Sequence, residues 1–162
     1  MIAPGLDVLF CGINPSLLSA QRGHHFARPG NRFWPALHGA GFTPRLLSPD
    51  EDWTLPSYGL GITNLVDRPT RAADELTAAE LKRGAESLAD LAREYEPAVI
   101  AVVGLSAWRL VHSRPGARPG PQPETTGGCR TWVLPNPSGL NAHYQLPDLI
   151  RLFGELRSRA RA

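Results

Sequence analysis

Cysteine is scarce in this sequence, since Cys11 and Cys129 are the only two in 162 residues. Two thiols cannot hold an iron–sulfur cluster in the usual way, and they form no disulfide framework. No apolar run approaches the length of a membrane span, and the N-terminus lacks the basic-then-apolar pattern of a secretory signal. We therefore expect a cytoplasmic protein that has no association with a membrane.

Metal ligands are also missing at the spacings that metal sites use. The sequence has five histidines, and none of them recurs with cysteine or a carboxylate in a ligand pattern. The adjacent pair His24 and His25 would point to opposite sides of an extended chain. The sequence therefore predicts no metal site, and nothing in it indicates another cofactor.

The bulk properties that remain describe one domain of ordinary size. With 42% hydrophobic residues the chain can build a sizeable core, and 162 residues leave little room for a second unit. We treat residues 1–162 as a single domain and, because no heptad pattern is visible, as a monomer. The net charge of +2 permits a nucleic-acid partner without requiring one.

Strands and helices alternate along the chain. Four segments are apolar almost throughout, as is typical of strands that are covered on both faces. They span residues 7–13, 60–66, 98–103 and 131–134. Helical patterns lie between and after these segments. The sequence therefore predicts an α/β fold with a mostly parallel sheet and helices on both of its faces.

A few positions indicate where helices begin and where the chain is irregular. Asn31 can cap the helix that follows it, and Thr77 with Glu80 forms a capping-box pattern. A short helix is predicted over residues 106–111, and an apolar stripe near the C-terminus predicts a last helix. Residues 114–128 are rich in Pro and Gly and predict one long surface loop.

Two polar loops come directly after predicted strands. The first is Gly12-Ile13-Asn14-Pro15-Ser16, and the second is Asn136-Pro137-Ser138-Gly139-Leu140-Asn141. In a parallel α/β sheet, binding sites form at the carboxyl ends of the strands. We therefore expect the two loops to be the two lips of one cleft.

Three residues near this cleft allow both a local and a functional interpretation. Asn14 either satisfies nearby backbone in an Asx turn or presents a carboxamide that positions water or a polar substrate edge. Phe26 lies in a loop with basic neighbours and is either a stacking platform for a planar ligand or a core anchor. Leu140, at a loop tip, is either a wedge into a base stack or a buried anchor.

Ser106 belongs to a competing pattern, because Gly104-Leu105-Ser106-Ala107-Trp108 follows a predicted strand and opens a helix. This context is typical of the nucleophile elbow of serine hydrolases. Trp108 replaces the second glycine of that motif, and the only downstream aspartate, Asp148, has no histidine after it. A simpler interpretation is that Gly104 eases the turn and Ser106 caps the helix.

Several blocks together resemble one family closely: the mismatch-specific uracil-DNA glycosylases, relatives of thymine-DNA glycosylase in the uracil-DNA glycosylase superfamily. The blocks keep their order over nearly the whole chain, and their combination is highly specific. They are Phe10-Cys11-Gly12-Ile13-Asn14-Pro15, His25-Phe26-Ala27-Arg28-Pro29, Asn31-Arg32-Phe33-Trp34, Ala40-Gly41-Phe42-Thr43, Gly61-Ile62-Thr63-Asn64-Leu65-Val66-Asp67-Arg68-Pro69-Thr70 and residues 132–140.

The resemblance implies a three-layer α/β/α sandwich that hydrolyses the N-glycosidic bond of a mismatched or damaged base in double-stranded DNA. Asn14 would position the attacking water, and no Lys stands at its place to attack the sugar, so a monofunctional enzyme is expected. The other implied site residues fall into two groups. Base binding would involve Ile13, Ser19, Ala20, Phe26, Asn136 and Ser138, whereas the DNA wedge would be Gly139, Leu140 and Asn141.

Two positions depart from the family pattern. Ser16 stands where the family usually has Gly, and Ala142 stands where bacterial members carry an Arg within the wedge. A side chain at position 16 would narrow the mouth of the pocket or add a hydroxyl. At position 142 two outcomes are open: Asn141, His143 or Tyr144 takes the place of the Arg, or the preference for guanine opposite the lesion is weaker. A non-catalytic DNA- or nucleotide-binding module on the same fold is the alternative function.

Overall fold

A five-stranded sheet forms the centre of the fold in the computed structural model, which describes residues 1–160. The strands are β1 (Val8–Gly12), β2 (Leu60–Asn64), β3 (Val99–Val103), β4 (Gly120–Pro121) and β5 (Arg130–Leu134), in the order β2-β1-β3-β5-β4. The first four strands in this order are mutually parallel, and β4 pairs antiparallel with β5 at the edge. This confirms the four predicted strands and the mostly parallel sheet.

Helices cover both faces of the sheet. They are α1 (Leu17–Arg22), α2 (Phe33–Gly39), α3 (Ala78–Tyr95), α4 (Leu105–Val111) and α5 (Leu146–Arg159), with 3-10 segments at Pro49–Tyr58 and Ala73–Glu75. Helices α2 and α5 pack on one face, whereas α3 and α4 pack on the other. The three α/β/α layers agree with the predicted fold class. Among residues 1–160, no helix combines the length and apolar character needed to span a membrane.

Alternation along the strands divides the core into two clusters. In β1, Val8 and Phe10 join the cluster with α2 and α5, whereas Leu9 and Cys11 join the cluster with α3 and α4. Successive side chains of a strand point to opposite faces, so an apolar strand contributes to both clusters.

Burial is nearly complete for Cys11, and desolvation raises the pKa of its thiol to about 12.

The predicted capping box is present at the start of α3, whereas the N-cap of α2 is Arg32 rather than the predicted Asn31. Thr77 Oγ1 accepts from the Glu80 N–H at 3.1 Å, and Glu80 Oε1 accepts from the Thr77 N–H at 3.1 Å, which closes the capping box. Asn31 Oδ1 accepts from the Phe33 N–H at 2.9 Å, where α2 begins. Each bond satisfies a backbone donor that the first helical turn leaves without a partner.

Other local expectations were wrong. Helix α4 begins at Leu105 with Gly104 as its N-cap, so the exposed Ser106 does not cap it. A Cβ on Gly104 would collide with the side chain of Ile13, so glycine is needed for this close approach. The region predicted as one loop, residues 114–128, contains β4. Helix α1 and the 3-10 segment over residues 49–58 had no predicted counterpart.

Two helical glycines allow a matched test of packing. A Cβ on Gly84 in α3 would collide with the Leu65 carbonyl, whereas a Cβ on Gly154 in α5 would have no atom within 4 Å. We expect Gly84→Ala to lower the free energy of unfolding by about 1–3 kcal/mol through overpacking. Gly154→Ala should raise it by about 0.5–1 kcal/mol, the usual gain in a helix interior. Urea unfolding measures both; equal stabilisation would contradict the close packing at Gly84.

Candidate functional site

A cavity of about 1230 Å³ lies at the carboxyl ends of β1, β2, β3 and β5. Segments that follow each of these strands line it. The two loops that were predicted to be lips of one cleft, residues 12–16 and 136–141, both contribute side chains to this cavity. The position agrees with the general rule for parallel sheets, in which the strand ends gather the polar residues of a site.

Backbone pairing continues past the ends of β1 and β2. The Leu65 N–H donates to the Gly12 carbonyl at 2.8 Å, and the Val66 N–H donates to the Ile13 carbonyl at 2.9 Å. Further on, Ser16 and Thr70 form a parallel bridge. The loop that carries Asn14 is therefore held along its length by the segment that follows β2.

The Asn14 carboxamide is fixed across this pairing. Its Nδ2 donates to the Arg68 carbonyl at 2.8 Å and to Thr70 Oγ1 at 2.8 Å. A carbonyl oxygen only accepts, so the amide nitrogen must be the atom that faces Arg68. Within residues 1–160, Asn14 Oδ1 has no hydrogen-bond partner, and the residue lines the cavity. The local Asx-turn interpretation was wrong, and the amide offers the cavity an acceptor.

Thr70 and Asn64 are site residues that motif reasoning did not single out. Thr70 is buried and donates its hydroxyl to the Ala72 carbonyl at 2.7 Å, which leaves its oxygen to accept from Asn14. Asn64 lines the cavity beside Gly12, and its amide has no partner in the described part of the chain. Both lie in the block Gly61 to Thr70, so a signal was present; the role of Thr70 was missed because its partner Asn14 lies 56 positions away.

Phe26 is anchored on the aromatic core and also lines the cavity. Its ring stacks on Phe33 with centroids 4.3 Å apart and planes at 21°, and Phe33 in turn meets the edge of Phe10 at 5.3 Å. The same ring lines the cavity. Phe26 has a φ of 51°, an unfavourable region for an aromatic residue, so surrounding contacts must hold it.

Asp52 supplies part of that support. Its carboxylate is 1% exposed; Oδ1 lies 3.2 Å from His24 Nδ1, and Oδ2 accepts from the His25 N–H at 3.1 Å. Trp34 Nε1 donates to the His25 carbonyl at 3.2 Å. The loop before α2 is thus tied to the 3-10 segment and to α2. This buried carboxylate was not predicted, because no helical segment was expected over residues 49–58.

Ser16 and Ser19 form a pair of hydroxyls at the cavity. Ser16 Oγ caps α1 by accepting from the Ser19 N–H at 3.0 Å, and it donates to Ser19 Oγ at 3.0 Å. Ser19 Oγ also accepts from the Ala27 N–H at 3.0 Å. Ser16 and Ser19 line the cavity together with Ile13, whereas Ala20 is exposed on α1 and does not line it.

We call residues 136–144 the wedge loop. Its tip residue Leu140 is 74% exposed, so this side chain is not a buried anchor. Asn136 Oδ1 accepts from the Ser138 N–H at 2.9 Å, and both residues line the cavity with Leu140 and Asn141. Gly139 does not line it; a Cβ there would lie 2.6 Å from the Gly30 carbonyl oxygen, so the loop tip packs closely on the Phe26 loop.

Positive charge prevails around the cavity. Three arginines line it, Arg28, Arg71 and Arg109, and Asp74 is the only carboxylate among its described lining residues. Such a rim favours a polyanionic partner such as a phosphate backbone.

Burial lowers the pKa of the His25 imidazole, with smaller contributions from the N-terminal ammonium and His24, against an opposing effect of Asp52. Within residues 1–160 there is no cluster of three or more His, Cys, Asp or Glu side chains suited to a metal ion.

The sequence was compared with models of known protein families. Residues 1–157 match the family model described as the uracil DNA glycosylase superfamily. The chain belongs to this superfamily. Superfamily members are glycosylase hydrolases that act on DNA, which agrees with the α/β fold and the basic rim of the cavity. Membership in this superfamily argues against the serine-hydrolase interpretation. The structure argues against it independently, because Ser106 has no hydrogen bond to a histidine in the described residues.

The shifted histidine predicts a pH effect on stability. Because the folded pKa of His25 lies below its ordinary value of 6.5, the unfolded chain takes up a proton there more readily as the pH falls. The free energy of unfolding should therefore be lower at about pH 5.5 than at about pH 7.5, and His25→Gln should reduce the difference. Burial also lowers the pKa of His112, so part of the effect should remain.

Urea unfolding at the two pH values measures this effect. His143→Gln, a substitution of an exposed histidine, is the matched control and should keep the wild-type pH dependence. An undiminished difference in the His25→Gln protein would contradict the assignment.

Proposed function

We propose that the protein is a monofunctional DNA glycosylase that flips uracil out of a G:U mismatch in double-stranded DNA and hydrolyses its N-glycosidic bond, which initiates base excision repair. The observation that carries this proposal is the orientation of Asn14. Both of its amide hydrogens are used inside the protein, so Oδ1 is the atom left for a ligand in the cavity.

An oriented amide oxygen suits the positioning of water. A water molecule that donates one hydrogen to Asn14 Oδ1 would be held with its oxygen free to attack the anomeric carbon. Asn is a poor base, so the driving force must come from departure of the uracil anion, which backbone N–H groups in a dry pocket can stabilise. A carboxylate base would typically add about 10²–10⁴-fold to the rate. We therefore expect slow excision that is limited to good leaving groups.

The cavity offers matching contacts for a flipped pyrimidine. Phe26 presents a ring face for stacking, and the buried side chain of Ile13 supplies an apolar wall. The unpartnered amide of Asn64 has one acceptor and two donors, the complement of the N–H and carbonyl edge of uracil. The hydroxyls of Ser16 and Ser19 lie at the same cavity and would limit the space beside the base.

The exposed Leu140 supports action on a duplex. Flipping a nucleotide costs a few kcal/mol and is least unfavourable at a mispaired base, which by itself favours uracil opposite guanine. Leu140 would fill the gap in the stack, with Asn141 beside it, and Ala142 would leave the opposite strand less firmly held than an Arg would. We propose that the protein acts as a cytoplasmic monomer.

A lyase step has no candidate residue. Such a step requires an amine that attacks the sugar, and the only lysine in the sequence is Lys82. Lys82 is exposed on α3 and does not line the cavity. The product would therefore be an intact strand that carries an abasic site.

The proposal predicts base release that depends on Asn14. In single-turnover assays, we expect release from a duplex with uracil opposite guanine, slower release opposite adenine, and a loss of about 10²-fold or more in Asn14→Ala because the water is no longer positioned. Circular dichroism and DNA affinity of the variant show that it remains folded and competent to bind.

The other outcomes separate the alternatives. Equal release from the guanine mismatch, the adenine pair and single-stranded DNA would keep the chemistry and overturn the mismatch preference. No release from any substrate, with DNA affinity retained, would indicate a non-catalytic DNA- or nucleotide-binding module. Activity that does not depend on Asn14 would indicate a contaminating enzyme.

Thr70 provides a second test of the same geometry. Thr70→Val removes the oxygen that accepts from Asn14, and we expect the single-turnover rate to fall roughly tenfold, the equivalent of one hydrogen bond. Thr70→Ser keeps the hydroxyl and should stay within about threefold of wild type. Affinity for the abasic product should change little in both variants. A Thr70→Val protein with the wild-type rate would show that Asn14 needs no such support.

A further inference from the structure

We propose that Arg32 is the positioning residue of the wedge loop, and that its guanidinium holds Leu140 where it can enter the base stack. The inference rests on the proposed function and concerns the selection of duplex over single-stranded DNA. Three carbonyl oxygens of the wedge loop accept from one side chain: Nη1 donates to Tyr144 at 2.5 Å, and Nη2 donates to Ser138 and, at 3.1 Å, to Asn141.

These bonds span the loop from one end to the other. The backbone N–H of Arg32 adds a fourth link, to the Pro137 carbonyl at 2.9 Å. A planar guanidinium donates in several fixed directions at once, whereas an ammonium is a single point donor on a flexible stem. The loop tip is also ordered from within, because the Leu140 N–H donates to Ser138 Oγ at 3.2 Å. Leu140 is therefore held before DNA binds, which spares ordering entropy.

The energetic cost of this arrangement points to a function beyond stability. Arg32 has no ion-pair partner among residues 1–160, and its Nε is buried without a hydrogen bond. Arg32 is half-buried, and a guanidinium that is partly withdrawn from water with only carbonyl dipoles to compensate it is unfavourable; the buried Nε without an acceptor adds to the penalty. A hydrophobic side chain would fill such a place at lower cost, but it would not fix three carbonyl oxygens.

Arg32 also joins the wedge loop to the site of base stacking. It directly precedes Phe33, on which Phe26 stacks, and the Gly30 carbonyl lies against Gly139 at the loop tip. The stacking ring and the wedge thus rest on one short segment, residues 26–33. A nucleotide in the cavity and a side chain in the vacated stack would be held at a fixed separation.

The test uses substrates that differ in their need for a wedge. Single-stranded DNA has no stack to fill, so a residue that acts through Leu140 should affect only the duplex. We expect Arg32→Lys to lower single-turnover release from the G:U duplex by about tenfold and to leave release from single-stranded DNA within about twofold. Arg130→Lys is the matched control: Arg130 also donates to two carbonyls, of Arg159 at 3.0 Å and Ala160 at 2.6 Å, but lies outside the cavity. Its duplex-to-single-strand ratio should equal that of wild type.

A double-mutant cycle with Leu140→Ala identifies the path of the effect. If Arg32 acts through Leu140, Arg32→Lys should cause no further loss in the Leu140→Ala background. Equal losses on both substrates, or losses that multiply in the double variant, would overturn the proposal while leaving the glycosylase function intact. Arg32→Gln is the second variant if Arg32→Lys does not fold.

Fluorescence provides a readout that does not depend on base release. A 2-aminopurine placed next to the mismatch brightens when its stack is opened, and we expect less brightening with Arg32→Lys than with wild type. If the wild-type protein releases no uracil, the proposed function fails, and the fluorescence comparison still decides whether Arg32 positions Leu140. Equal brightening by the two proteins would overturn the inference.

Discussion

The site depends on backbone pairing that continues after β1 and β2 have ended as strands. The bonds from Leu65 and Val66 to the carbonyls of Gly12 and Ile13 hold two polar loops in register, and the bridge between Ser16 and Thr70 extends that register. Without it, Asn14 would face solvent in a flexible turn, since its own partners both come from the second segment. The chemistry proposed for the cavity therefore rests on main-chain geometry before any side chain contributes. In the proposed reaction a neutral residue would be sufficient there, because the fold supplies its orientation rather than its basicity.

The departure at Ser16 acquires a structural explanation from the same region. Its hydroxyl caps α1 and bonds Ser19, so both of its hydrogen-bonding functions are used at the start of the helix. A glycine at this place would leave the first turn of α1 with an unsatisfied donor. Ser16 is thus a helix cap that also borders the cavity.

Sequence reasoning predicted what is encoded locally. The four parallel strands are continuous apolar runs, the capping box at Thr77 is a contiguous pattern, and the two loops follow their strands directly. What it missed depends on partners far along the chain. Thr70 matters through a residue 56 positions away, and Arg32 through carbonyls 106 to 112 positions away. Strand β4 has two residues, Gly120 and Pro121, whose types favour a loop, and only pairing with β5 makes it a strand. Asp52 was not predicted as a structural residue, because the apolar residues of its 3-10 segment have no helical spacing from which the segment could be predicted.

The ring of Phe26 begins an aromatic series that leads inward, through Phe33 and Phe10 to Phe153, whose ring stacks on Phe10 with centroids 5.9 Å apart. The part of the cavity wall that Phe26 forms, which we call its aromatic floor, is consequently continuous with the hydrophobic core. A substitution in this aromatic floor would destabilise the fold. Selection would therefore remove it before any change in substrate specificity could become useful. The rim consists of loops and exposed side chains, and substitutions there would not disturb the packing of the core. Divergence of substrate preference among descendants of this chain should accumulate at the rim, while the aromatic floor is inherited unchanged with the fold.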